Sequence, residues 1–439
     1  MSVPTTIGIA DYAIFGGVLV VSVGIGIYYG CTGNKQNTTK EYLLANRSMH
    51  FFPVSVSLMA SFISAITILG MPSEVFTYGL MYVTTIFMYL IIIPVGAHLY
   101  LPIFYRLELT SIYEYLELRF NKPARIIGTS FYILYKSLYL SIAVYAPSLA
   151  LSAVSGINVW ISVVTIGTVC TMYTTLGGMK AVIWTDVIQS LAMFTGVIAV
   201  IIQGCIDLGG ISNVWQIADD GDRIYFTDWR LDPTVRHTGY SILIGYTLGV
   251  IPTLGISQAT AQRFLTCSSV REGQKAMYTS IPMLMLIVIL SCLAGVVMYA
   301  TYADCDPLAA GYVTQGDQRT AFFIMDTFAH LPGLAGVFIA AVFSGALSTL
   351  SSGLNSLAAV TLEDFLKHFH YFSQLSDYKT TLVLKVTSTL YGCLAILLVL
   401  LVSEMGLILQ LALSIGNLVL APVFGMFTLG IFFPWTNSK

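Results

Sequence analysis

The sequence predicts an all-α polytopic membrane protein, and three observations carry that reading. Apolar runs of 18 residues or more recur from one end of the 439-residue chain to the other, each long enough to cross a hydrocarbon layer of about 30 Å as a helix. Only 10% of the residues are charged, and the mean hydropathy is +0.81. The Lys and Arg residues between the runs gather in alternate loops, as expected of a chain oriented by its basic loops.

Eleven apolar segments follow in order: 10–30, 51–70, 79–104, 126–152, 157–176, 183–208, 239–262, 276–302, 334–363, 381–403 and 406–433. The first begins at Tyr12 behind Asp11 with no basic residue before it, unlike a secretory signal, and is read as a retained helix. An odd number puts the two termini on opposite sides. Assigning loops alternately places Lys35, Lys40, Arg47, Arg106, Arg119, Lys122, Arg125, Lys180, Arg263, Arg271, Lys275, Lys367, Lys379, Lys385 and Lys439 on one side, fifteen in all, against Arg223, Arg230, Arg236 and Arg319 on the other. The expected topology therefore has the N-terminus outside and the C-terminus inside. Two glycosylation sequons, at Asn37 and Asn46, then fall in the first cytoplasmic loop and are expected to stay unmodified. The longer loops, 209–238 and 303–333, hold Gly, Asp and Pro clusters without apolar periodicity, so residues 1–439 read as one membrane domain.

Several function classes find no support. A net charge of −2 and the absence of a basic stripe argue against a nucleic-acid partner. Seven scattered cysteines with no CxxC spacing suggest neither a disulfide framework nor a zinc site. No HExxH, nucleophile elbow or His/Asp/Cys cluster occurs, so an enzyme is not expected.

Polar residues inside the spans carry the functional signal. The stretch "SGALSTLSSGLNS", 344–356, places seven Ser, Thr and Asn residues inside an apolar run from Leu334 to Leu362. Ser348 and Thr349 fall halfway along a helix of about 43 Å, near the bilayer midplane. The second segment carries Ser55, Ser57, Ser61, Ser64 and Thr67, with Gly70 and Pro72 expected to break its end. Small residues also permit close helix packing, and Ser or Thr can bond back to its own helix. A small hard cation, however, wants several oxygens, and neutral hydroxyls with carbonyls freed by an irregular helix suit a monovalent ion. These two segments hold no Asp or Glu until Glu74 and Glu363, so the chemistry leans to sodium. Asp186, near the cytoplasmic end of the sixth segment, is either interfacial or a guide for a cation leaving inward. Lys136, about twelve residues into the fourth segment, sits too deep for its amine to reach water by snorkelling, and reads either as a contact for an anionic group or as half of a structural ion pair.

The runs "YTTLGGMKAVIWTDVIQ" (173–189), "SLMASFISAITILGMPSEVFTYG" (57–79), "YAPSLAL" (145–151), "SQATAQRF" (257–264) and "SGALSTLSSGLNSLAAVTLEDF" (344–365) resemble the sodium/solute symporters. The similarity is to their monocarboxylate, multivitamin and iodide carrier branch and extends over essentially the whole chain. It implies the leucine-transporter fold, with two inverted five-helix repeats (51–208 and 239–433) after one extra helix, 10–30. It also implies two or three further helices beyond the tenth core helix, which this chain, ending "FFPWTNSK", does not contain. Carried over by position, a sodium site would use the carbonyls of Ala60, Ile63 and Gly345 with the hydroxyls of Ser348 and Thr349, and Asp186 would serve inward sodium release. The substrate cavity would be lined by Ser64, Thr67, Thr85, Tyr145 and Phe427. Ser257 and Lys136 depart from the family pattern and leave the substrate open. The implied activity is sodium-coupled import of a small organic anion, a monocarboxylate or a vitamin such as biotin or pantothenate, across the plasma membrane. Sodium would be the coupling ion, with no other cofactor. The alternative is a sodium-permeable sensor or channel on the same scaffold that does not accumulate solute.

Overall fold

The computed structural model describes residues 8–32, 36–232, 234–328, 330–405 and 408–437, and the described residues form helices and loops without a strand. Of the positions named above, Lys35 and Lys439 lie outside the described residues. The spans are α1 (Ile9–Cys31), the pair α2 (Phe51–Phe62) and α3 (Ala65–Tyr78), α4 (Leu80–Arg106), α5 (Lys122–Ser155), α6 (Val159–Asp207), the pair α7 (Ser241–Gly255) and α8 (Gln258–Leu265), α9 (Val270–Thr301), α10 (Leu334–Asp364), α11 (Asp377–Val402) and α12 (Ile408–Phe432). Short helices Ile211–Asp220 and Arg319–Thr327 occupy the two long loops.

Helix α6 runs 49 residues, about 74 Å at 1.5 Å per residue, far more than one bilayer crossing requires. Its continuity is interrupted at Gly178, where φ is +57° and ψ is −157°. A side chain there would be strained, and its Cβ would also meet the Tyr42 carbonyl oxygen at 2.8 Å, so glycine is required. Counting α6 as two spans and each bent pair as one reproduces the eleven expected segments.

Two spans are broken in mid-course. α2 and α3 meet at 56°, and α7 and α8 at 55°. Each broken span opens a run of five, the arrangement of inverted-repeat transporters. The first break is not where Gly70 and Pro72 predict it. Both residues sit inside α3, and the chain instead leaves helical geometry at Ile63 (φ −90°, ψ 103°) and Ser64 (φ −94°, ψ 169°). A proline inside a membrane helix is tolerated where neighbouring side chains re-satisfy the backbone around it; in the turn before Pro72, Thr320 Oγ1 donates to Leu69 O at 2.7 Å, and Pro72 itself packs against Gly295 of α9.

Helix α10 forms the centre of the molecule. It is unbroken from Leu334 to Asp364 and buried along nearly its whole length, so the irregular helix expected beside the serine-rich run is the α2–α3 span. α1 is peripheral, largely exposed on one side and seated through Gly26 and Gly30 against Tyr173 and Leu176 of α6.

Candidate functional site

The break between α2 and α3 lies directly against Gly345 of α10. A Cβ at Gly345 would stand 2.8 Å from the Ala65 amide nitrogen and 3.0 Å from the Ser64 carbonyl carbon, so backbone meets backbone there. At the break, the last turn of α2 closes with the Ile63 amide donating to Met59 O at 3.1 Å, and α3 starts with the Thr67 amide donating to Ser64 O at 3.0 Å. Neither Ala60 O nor Ile63 O receives a backbone hydrogen bond among those described across the break. Carbonyls at an open helix end keep their negative partial charge and need a partner.

The seven polar residues of 344–356 divide by partner. Ser351 Oγ donates to Ser348 O at 3.1 Å, Ser356 Oγ donates to Gly353 O at 2.8 Å and accepts from the Tyr132 hydroxyl, and Ser352 donates to Ser348 O and accepts from Arg263. Asn355 donates weakly to the Met179 sulfur. The Oγ atoms of Ser344 and Ser348 and Oγ1 of Thr349 are buried and have no hydrogen-bond partner among the described residues. These three flank Gly345, so the unpartnered hydroxyls cluster on the stretch of α10 that touches the break. Along α2, Ser55 and Ser61 bond back to Phe52 O and Ser57 O, as packing serines do.

Ser57 does something else. Its hydroxyl donates to Asp186 Oδ2 at 2.5 Å and accepts from Arg263 Nε at 2.8 Å. Arg263 Nη2 reaches Asp186 Oδ2 at 3.1 Å and Nη1 reaches Ala259 O at 3.0 Å, with both charged side chains fully buried. One guanidinium thereby ties α8 to α2, α6 and α10. Asp186 lies close to Ser348, and its Oδ1 is buried without a partner among the described residues. Arg263, assigned to a loop by the charge alternation, is an interior residue, which leaves fourteen basic residues on that side.

A cavity of about 400 Å³ lies on the other side of the break, within the range of small-ligand sites. Ser64, Thr67, Glu74, Tyr139, Thr253 and Asn417 are among its walls. Of the expected lining residues, Ser64 and Thr67 are present and the other three are not. Thr85 is buried with its hydroxyl on Tyr82 O, and Tyr145 packs with Ile66, Ile142, Ala146 and Val402. Phe427 is fully buried in an aromatic cluster with Phe104, Tyr113 and Tyr115. At the far end of the cavity, Glu74 accepts from Arg236 Nε at 2.5 Å and Nη2 at 3.1 Å, and its Oε1 lies 2.9 Å from His237 Nε2. Arg236 and His237 also line a second hollow of about 580 Å³ under the 209–238 loop, so this cluster is the partition between the two spaces.

Residues 42–439 match the sodium:solute symporter family. The chain belongs to that family. The symporter is 43% identical over its full length to the human sodium-coupled monocarboxylate transporter 1, of which it spans 72%. It is also 43% identical over 99% of its length to the putative sodium-dependent multivitamin transporter of Drosophila melanogaster, again spanning 72%. Its fold superposes on a sodium-coupled sialic acid symporter, solved substrate-bound and outward-open, with a TM-score of 0.88 at 27% identity, covering 98% of this chain and 88% of that one. A nucleobase–cation symporter shares the fold at a TM-score of 0.50 and 14% identity. The protein is thus a membrane transporter with the leucine-transporter-type fold, coupled to sodium, and not an enzyme.

Three features of this symporter carry no distinct signal in the sequence: the Arg263 hub, the Glu74 partition, and a buried pair in which Arg125 Nη2 holds Asp364 Oδ1 at 2.6 Å while Ser111 and Thr129 donate to Oδ2. The signal for each was a charge at the end of an apolar run, which also reads as a loop residue.

Proposed function

We propose that this symporter carries a small organic anion, a monocarboxylate or a vitamin such as biotin or pantothenate, across the plasma membrane by alternating access. The observation behind the ion site is the cluster of unpartnered hydroxyls at Ser348 and Thr349, set against open carbonyls at a broken helix. In this reading the carbonyls of Ala60, Ile63 and Gly345 join those two hydroxyls as five neutral oxygens around one sodium ion. Neutral donors bind a monovalent cation without the charge that would trap it. The site is also where α2–α3 and α10 meet, so an occupying ion bridges the elements whose separation would open a path inward. Asp186, beside the Ser348 hydroxyl, offers its free Oδ1 to the departing ion. The Arg263 network closes that exit while it holds.

The anion occupies the cavity beside Ser64 and Thr67. With the N-terminus outside and the C-terminus inside, the Glu74, Arg236 and His237 partition faces the exterior and Arg263 the cytoplasm, and the inverted repeats comprise 51–208 and 239–433. Each charge crossing 100 mV contributes about 2.3 kcal/mol, to which the sodium gradient adds. No observation favours the non-accumulating channel. The test is accumulation of labelled lactate, nicotinate, biotin, pantothenate, lipoate and iodide in cells expressing the chain, with sodium or choline outside. Concentrative uptake of at least one solute in sodium alone is expected; current without accumulation of any would overturn the reading.

A further inference from the structure

Lys136 lies in the middle of α5, 9% exposed, and makes no ion pair or hydrogen bond among the described residues. An ammonium in a membrane interior is costly unless it is paired or wet. The interior acids are engaged by other groups: Asp186 through Oδ2 by Ser57 and Arg263, Glu74 by Arg236 and His237, Asp364 by Arg125. The charged side chain that acts on Lys136 is Arg263, of like sign, which adds to the cost. Its one favourable contact is the ring of Tyr139, with Nζ 5.2 Å from the centroid, a cation–π interaction weaker than an ion pair. Tyr139 and Tyr135, one turn apart on the same helix, both line the cavity. The ammonium therefore stands one ring away from the space assigned to the solute, on a four-carbon stem free to swing past it.

We propose that Lys136 is the counter-charge for the anionic group of the transported solute, engaged when that group enters the cavity beside Tyr135 and Tyr139. This rests on the anion-symport reading above and deepens it: a single cation beside the cavity selects one carboxylate or its equivalent over the neutral amide of the same shape. A charge-assisted contact of this kind corresponds to about a 10- to 100-fold difference in apparent affinity. Between approaches of the solute, Tyr139 holds the cation.

The test compares wild type, Lys136→Met and Lys136→Arg, with uptake of labelled lactate, nicotinate and biotin normalised to surface protein and each carboxylate opposed by its carboxamide as competitor. Lys136→Met should raise the apparent constant for the transported carboxylate about 10- to 100-fold with the sodium constant unchanged, and should erase the preference over the amide. Lys136→Arg should retain most of that preference. An unchanged carboxylate constant and unchanged preference in Lys136→Met would overturn the proposal. A second arm uses the unaltered protein, so that a folding defect cannot obscure the answer. Reductive methylation of Lys136 in purified symporter, quantified by mass spectrometry in sodium, should be slowed severalfold by millimolar carboxylate and not by its carboxamide, with the exposed Lys275 as internal control. Equal methylation with and without all three carboxylates would also overturn it. Should the wild type accumulate none of the six solutes named above, the symport reading fails by itself, and the methylation arm still decides Lys136: slowing by any of the carboxylates supports it.

Discussion

At Arg263 a single side chain meets four elements, and its substitution should separate charge pairing from transport. Removing one partner of a buried pair leaves the other unpaired, at about 3–5 kcal/mol. Arg263→Met should therefore lower the thermal midpoint and surface abundance sharply, while Arg263→Met combined with Asp186→Asn should recover much of the loss. A double variant no more stable than the single one would show that Asp186 is not the group Arg263 serves. Phe427 gives the complementary case. It was expected in the substrate cavity but packs edge-on and stacked among Phe104, Tyr113 and Tyr115. Phe427→Ala should cost stability, about 3–5 kcal/mol, and leave the substrate constant of the surviving protein unchanged. A changed constant at normal stability would return Phe427 to the cavity. These residues also mark what a single sequence conceals. Ser64 and Thr67 stood out as hydroxyls in an apolar run, but Ser55 and Ser61 of the same run bond back to their own helix, so it was the family resemblance that singled out the first two. Arg263 was not legible, because a cation directly after the apolar segment 239–262 reads the same in a loop as in a buried pair.

Among the elements, the contact between α10 and the broken span decides the ion site. Hydroxyls at the midplane of segment 334–363 were readable from spacing alone, while their pairing with the second segment came with the family resemblance. The position of the break was not. Gly70 and Pro72 are the local breakers, yet the helix yields at Ile63 and Ser64, whose side chains carry no such signal. The irregular geometry there is matched by a glycine 280 residues away in the chain: with no side chain at Gly345, α10 reaches the backbone of Ser64 and Ala65. Gly345→Ala should force the two apart. Overpacking of this kind costs about 1–3 kcal/mol, and the cost should appear as a sodium activation constant raised about tenfold or more, at conserved surface abundance. A normal sodium constant in Gly345→Ala would mean that the break and α10 move independently.

The whole molecule is a bundle whose cavity ends at the Glu74, Arg236 and His237 cluster. Its span count was legible because each run exceeds the length of a bilayer crossing, and even the 49-residue α6 divides at Gly178 as the two expected segments require. The cavity walls were less so, since Thr85 and Tyr145 differ from true lining residues only by the rotation of their helices. If Glu74, Arg236 and His237 form the outer closure, Thr67→Cys in a Cys305→Ser background should react with an impermeant thiol reagent from outside, and faster when Glu74→Gln loosens the partition. Reaction from the cytoplasmic side alone would invert the proposed topology. The central claim, that neutral oxygens on α10 bind the coupling ion, is tested most directly by the sodium dependence of tracer uptake in Ser348→Ala combined with Thr349→Ala, normalised to surface protein. Sodium-driven uptake should be abolished while the protein still reaches the surface; a double variant with the wild-type sodium activation constant would contradict ion binding there.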